Sequence, residues 1–247
     1  MKTVVATIVT LLLSITVFPA AINVESRLIE YRSHRMEKEM WQLIQELEEM
    51  PQDGKTLAIL CEALTEYANW AKISQEEREK IYERAVEVGK KSVELLPESS
   101  YANYVTGAAI GRLAQYKGII QSLFMLGDFD KYILKAIELD PNNYTALVAM
   151  GMRYRDTPWP FRDFRKSEQY FLKAIEVEPA YVNSYYELAV LYEQWSEIAR
   201  KSEDREKYFQ KAKQLYEKII LMEPHPQWIA QGEETKQIAS NWLKEHD

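Results

Sequence analysis

Lys91-Ser92-Val93-Glu94-Leu95-Leu96-Pro97 is the first of four near-copies in this chain. It returns as Lys135-Ala136-Ile137-Glu138-Leu139-Asp140-Pro141, as Lys173-Ala174-Ile175-Glu176-Val177-Glu178-Pro179 and as Lys218-Ile219-Ile220-Leu221-Met222-Glu223-Pro224. Each copy reads as the last turns of a helix. Proline has no N–H to donate and pushes the preceding residue out of helical geometry, so it stops the helix before it. The four prolines stand 44, 38 and 45 residues apart. Self-similarity at such a spacing points to stacked helix pairs in which no unit buries its own face alone.

Within the copies the small or branched residue keeps its place: Ser92, Ala136, Ala174 and Ile219 each precede their proline by five. Variable length therefore falls between the two helices of a unit, as insertions. Upstream of each copy lies a second pattern. Leu60, Ala63, Leu64 and Tyr67 precede the first; Leu147, Met150, Gly151 and Tyr154 follow Pro141; Tyr185, Leu188, Ala189 and Tyr192 follow Pro179. Large, large, small and aromatic residues at these spacings share one helical face. The unit after Pro97 matches least well, with Asn103, Thr106, Gly107 and Ile110. Seven residues before the small position, Ala85, Ser167 and Ala212 are again small and Phe129 is not.

This pattern resembles the tetratricopeptide repeat, whose period is about 34 residues. The predicted fold is all-α: a tetratricopeptide-like superhelix of about four helix pairs, with inter-helix insertions and terminal capping helices. Val24 to Met50 reads as one long helix ending at Pro51-Gln52-Asp53-Gly54, and Trp228 to Lys244 as a polar-faced cap.

The totals agree. The chain has 247 residues, of which 47% are hydrophobic, enough for a short solenoid with a core. A net charge of −7 argues against a nucleic-acid partner. A single cysteine, Cys61, excludes an internal disulfide framework. The start of the chain stands apart. After Lys2, residues Thr3 to Ile22 carry no charge, and the apolar centre Val4–Val17 is short for a membrane span. Residues 1–21 read as a signal peptide, with an N-terminal anchor as the alternative, and residues 22–247 as the tetratricopeptide-like domain. Export with one cysteine suits a periplasm; an uncleaved segment would tether the domain to the inner membrane.

Gly107-Ala108-Ala109-Ile110-Gly111-Arg112-Leu113-Ala114, Lys117-Gly118-Ile119, the loop Pro158-Trp159-Pro160-Phe161 and the ending Glu223-Pro224 with Trp228 go beyond the generic repeat. They resemble the periplasmic T-component proteins of TRAP-type transporters and, more distantly, the regulator-of-microtubule-dynamics proteins. That resemblance implies a periplasmic helical solenoid working beside a solute-binding protein, with self-association as a further expectation. The lipobox cysteine associated with the bacterial members is not found here.

No pattern for catalysis, metal or cofactor stands out, and the chain reads as a non-enzyme. Gly107, Gly111 and Gly118 lack the lysine and preceding strand of a phosphate loop. His225 has no second ligand at zinc spacing. Glu62 and Glu66, like Glu46 and Glu49, share a helix face and read as solvated carboxylates. The excess lies in the aromatics: 16 tyrosines, more than the core positions require. In this repeat class the first helices line the concave wall. Projecting the register places Cys61, Tyr104, Val148 and Tyr186 in one column there and Tyr101, Thr145 and Asn183 beside it, with Arg112, Arg155 and Glu193 further along. Such a wall suits an extended peptide or an elongated apolar ligand, or a protein partner. Trp159 and Phe161, set between prolines, form a candidate partner-contact loop. The insertion Lys117–Phe129, apolar through Ile119, Ile120, Leu123, Phe124, Met125 and Leu126, reads as buried against a neighbouring unit; exposed, it would serve a second copy or another partner. The functional expectation is an exported scaffold binding on its concave face. The competing one is a general envelope adaptor without a ligand pocket.

Overall fold

In the computed structural model, which describes residues 24–246, eleven α-helices and one short 3-10 turn follow one another. They are α1 (Val24–His34), α2 (Glu37–Glu49), α3 (Gly54–Trp70), α4 (Gln75–Leu95), α5 (Ser100–Ala114), α6 (Ile119–Leu139), α7 (Tyr144–Asp156), α8 (Phe164–Val177), α9 (Val182–Ile198), α10 (Ser202–Leu221), the 3-10 turn Pro226–Trp228 and α11 (Ile229–His246). No strand occurs among the described residues. The predicted all-α superhelix is what the chain forms. Its four pairs are α3–α4, α5–α6, α7–α8 and α9–α10, with α1 and α2 before them and α11 after. The reading of residues 1–21 as a leader lies outside the described residues.

Local chemistry explains the element ends. Each repeat proline follows a helix that has already stopped, and the residue two beyond Pro97 and Pro141 caps the next one. Ser99 accepts from the Ala102 N–H at 3.2 Å, and Asn143 from that of Ala146 at 3.0 Å. Ser74 and Glu77 form a reciprocal capping box at the start of α4, which satisfies two otherwise orphan N–H groups.

The pattern residues are where the helices meet. Leu60, Leu64, Leu147, Met150, Leu188 and Ala189 are all buried. The poorly matching second unit keeps the same register: Asn103, Thr106 and Ile110 are buried too. Its polar members are satisfied by their own chain, the Asn103 amide donating to Pro97 O and Ser99 O and the Thr106 hydroxyl to Ala102 O. Gly151 shows why the small position matters. A Cβ there would enter the Phe171 ring of α8, so glycine lets the paired helices touch.

The structure differs from the sequence reading in two places. The extra length is not held in loops. The run Ile119–Leu126 is helical and lengthens α6 to 21 residues; only residues 157–163, between α7 and α8, form a long connection. Expected to be buried, this run instead leaves Ile119, Ile120 and Phe124 largely in solvent (Phe124 83% exposed). Nor is Val24–Met50 one helix. Arg35 adopts φ 51°, the Met36 N–H donates to Tyr31 O (2.9 Å) and the Arg35 N–H to Arg32 O (3.3 Å). These are the paired bonds that end a helix on a left-handed residue, a position usually given to glycine.

That break reverses the chain and sets α1 apart. Helices α3, α5, α7, α9 and α11 neighbour one another in turn and make the inner wall. Helix α1 lies on this inner side, packed on α3, and reaches the 3-10 turn and α11. There the Ser33 hydroxyl donates to Pro226 O (2.7 Å), the Ile229 N–H donates to Ser33 Oγ (3.3 Å), and Arg35 pairs with Glu234. The first helix thus bridges the first and last parts of the solenoid.

Candidate functional site: a cleft closed by the first helix

Between α1 and the inner wall remains a cleft of about 520 Å³. One wall is apolar, from Met125, Leu126 and Phe129 of α6 and Val148, Ala149 and Met152 of α7. Tyr104, Tyr181, Tyr186 and Trp228 add aromatic surface. Arg32, Glu66, Asn69, Trp70 and Arg112 gather where α1, α3 and α5 reach their C-terminal turns.

Of the residues projected onto the concave face, Tyr104, Arg112, Thr145, Val148, Asn183 and Tyr186 line this cleft. Three others are committed elsewhere. The Tyr101 hydroxyl donates to the buried Glu62 carboxylate, which also pairs with Arg32 of α1. Arg155 holds Glu187 at 2.6 Å and Asp156 at 2.6 Å, with only 6% of its side chain exposed. Glu193 accepts from the Tyr216 hydroxyl at 2.5 Å and from the Trp242 indole N–H. Cys61, placed in the same column by projection, is fully buried and donates to Val105 O at 3.4 Å. Burial pushes its thiol far above the ordinary range. A bare-cylinder projection fails at these positions because other elements pack on them. Trp159 and Phe161 do stand out from the surface, 83% and 47% exposed, and the Trp159–Pro160 bond is cis.

Glu62 and Glu66 are not the solvated carboxylates that the sequence predicts. Glu62 is buried rather than solvated, and Glu66 is half-buried at the edge of the cleft. Burial raises the Glu66 carboxyl above its ordinary value. Arg32 opposes the rise, Glu62 adds to it, and Arg112 and the Asn69 amide oppose it. The sequence did contain a signal for this: both residues sit in a helix whose neighbours Leu57 to Leu64 are almost all apolar, with no basic residue one turn away. Burial likewise raises the Tyr104 and Tyr181 hydroxyls, so both stay protonated donors at neutral pH. Arg32 and Trp228 carry no such signal, because their roles depend on α1 crossing the wall. The Arg32 guanidinium carbon lies 3.7 Å from the centre of the Trp228 ring.

Stacked antiparallel helix pairs around an inner cleft define the chain as a tetratricopeptide-like helical-repeat protein. The family profile of regulator of microtubule dynamics protein 1-3 matches residues 26–154, just over half of the chain. The chain belongs to that family. It is 29% identical over 139 residues to regulator of microtubule dynamics protein 1 of Mus musculus, covering 55% of this chain and 45% of that one. To its Bos taurus counterpart it is 28% identical over 139 residues, covering 55% and 43%. The chain thus spans less than half the length of the curated relatives it matches. Among solved structures it is similar to MamA MSR-1 C2 (TM-score 0.49, 16% identity, 79% of this chain and 95% of that one). It is also similar to MamA 41-end from Desulfovibrio magneticus RS-1 (TM-score 0.48, 18% identity, 78% and 93%).

Proposed function

We propose that the chain is a non-catalytic scaffold that seats a small ligand or an extended segment of a protein partner in the cleft beneath α1. The cleft carries this reading. At about 520 Å³ it falls in the size range that buries small organic ligands, and it combines an apolar wall with a few convergent polar groups. The nearby carboxylates favour binding over acid–base chemistry. Glu62 and Glu187 are each spent on a buried arginine, which leaves the raised Glu66 without an uncommitted carboxylate beside it to share acid–base work.

The proposal extends to place and partner. The uncharged stretch Thr3–Ile22 supports export, with the domain working in a periplasm, free or tethered. The resemblance carried by Gly107–Ala114 and Pro158–Phe161 supports an accessory role beside a solute-binding protein of a TRAP-type transporter. The second reading, an envelope adaptor or self-associating scaffold, draws support from the solvent-facing Ile119, Ile120 and Phe124 with Trp159 and Phe161.

The cleft reading is tested by Tyr104→Ala combined with Tyr186→Ala, and separately by Asn183→Arg, which fills the cleft from a half-buried position. Helicity by circular dichroism should be unchanged. Capture of ligand or partner from periplasmic and membrane extract should drop about tenfold or more. Capture that both variants leave intact removes the cleft from consideration and leaves the adaptor reading.

A further inference from the structure

The cleft's unmet hydrogen-bonding capacity says what kind of molecule fills it; this rests on the cleft being a ligand site. Where α1, α3 and α5 end, two buried side-chain N–H groups go unanswered. Arg32 is more than nine-tenths buried, with 7% of its side chain exposed. Its terminal nitrogen serves Glu62, and its Nε–H finds no acceptor among the described residues. The buried Trp70 indole N–H finds none either. The Arg112 side chain, on the next inner helix, has no hydrogen bond or ion pair among the described residues. It acts on Glu66 only at longer range. Four carboxylates line the cleft: Asp156 and Glu187 pair with Arg155 and Glu234 with Arg35, which leaves Glu66 near Arg32 and Arg112. A buried N–H left without an acceptor costs about 1–3 kcal/mol, so two such groups lining one cleft beside the uncommitted Arg112 guanidinium mark the place of an external acceptor.

Two kinds of acceptor are available. A peptide carbonyl or other neutral oxygen would answer the Trp70 and Arg32 N–H groups and leave the Arg112 charge unanswered. An oxyanion answers all three, and hydrogen bonds to an ionised partner are about twice as strong as neutral ones. Within the same cleft, Met125, Leu126, Phe129, Val148 and Met152 offer an apolar wall with little to donate. We propose that the cleft binds organic anions, with a carboxylate head received by Arg112 and the Trp70 and Arg32 N–H groups and an apolar body laid against α6 and α7.

The test is titration calorimetry on the full chain with four probes: octanoate, octanamide, phenylbutyrate and phenylbutyramide. Each acid should bind about tenfold or more tightly than its amide, as expected for a charge-assisted bond. Arg112→Gln should abolish that preference while leaving the weaker amide binding in place. Trp70→Phe keeps an aromatic ring and removes the N–H, and should weaken the acids several-fold. Far-ultraviolet circular dichroism confirms that both variants are folded. Amides binding as tightly as acids, or an acid preference that survives Arg112→Gln, overturns the anion assignment while leaving the cleft as a ligand site. If no probe binds the native chain and Asn183→Arg still lowers capture from extract, the anion assignment falls alone. If Asn183→Arg also leaves capture unchanged, the ligand reading of the cleft falls with it.

Discussion

The guanidinium of Arg32 stacks on the ring of Trp228 at 3.7 Å, across a sequence separation that spans nearly the whole described chain. One face of the cation is thereby covered by an aromatic surface, an attraction of about 2 kcal/mol when desolvated. Its edge meets Glu62. Arg32 therefore joins α1 both to the first inner helix and to the turn before the last helix.

Trp228→Ala should release that end of α1. Truncating a buried tryptophan costs about 3–5 kcal/mol, and the ring here is 8% exposed. Amide hydrogen exchange should accelerate in α1 and α11 well before α5 or α7 responds. Uniform acceleration along the chain would show that Trp228 matters only as bulk in the core.

Gly151→Ala should destabilise the fold by about 1–3 kcal/mol through overpacking, because the added carbon enters the Phe171 ring. Phe171→Leu alone opens a gap, since Phe171 is fully buried. Combined, the two should cost less than the sum of the single changes, measured by denaturant unfolding. Simple additivity would mean that the two residues do not share this contact.

Glu66→Gln should raise the Tm at neutral pH by a few degrees. The Glu66 carboxyl has a folded pKa above its ordinary 4.5, chiefly through burial. When the folded value is raised, the folded chain holds its proton more tightly than the unfolded one. Stability is then lost as pH rises from the unfolded value through the folded one, and is not recovered at higher pH. The gain from Gln should therefore vanish below about pH 4, where the carboxyl is neutral in both states. Thermal melts of both proteins across this interval check the sign. A gain that persists in acid would point to a cause other than ionisation.

Phe124→Ser and Trp159→Ser should leave the Tm nearly unchanged, because both side chains are 83% exposed and such surface changes stay within about 0.5 kcal/mol. If this rim is an association surface, sedimentation at rising protein concentration should show the native chain growing heavier and the double variant not. Identical sedimentation of the two proteins would count against the rim.

The repeat was legible because everything that makes it is local. Pro97, Pro141, Pro179 and Pro224 stop their helices, Ser99 and Asn143 start the next ones, and Gly151 marks the close approach. The cleft was half legible. Tyr104, Val148, Asn183 and Tyr186 follow from the register alone. Tyr101, Arg155 and Glu193 share that register but are claimed by Glu62, Glu187, Tyr216 and Trp242, partners that sequence spacing does not reveal. Least legible was α1. Its end depends on Arg35 taking a conformation that favours glycine, and its position on Ser33 meeting Pro226 and Ile229. No local pattern encodes a contact of that length.

A linear stack of helix pairs melts from whichever end is weaker, each unit supported by its neighbours alone. In this molecule Ser33 and Arg35 hold the far end, so neither end of the described array loosens by itself. Fraying at one extremity means unfastening the other, and the array behaves less like a row of dominoes than like a clasped bracelet.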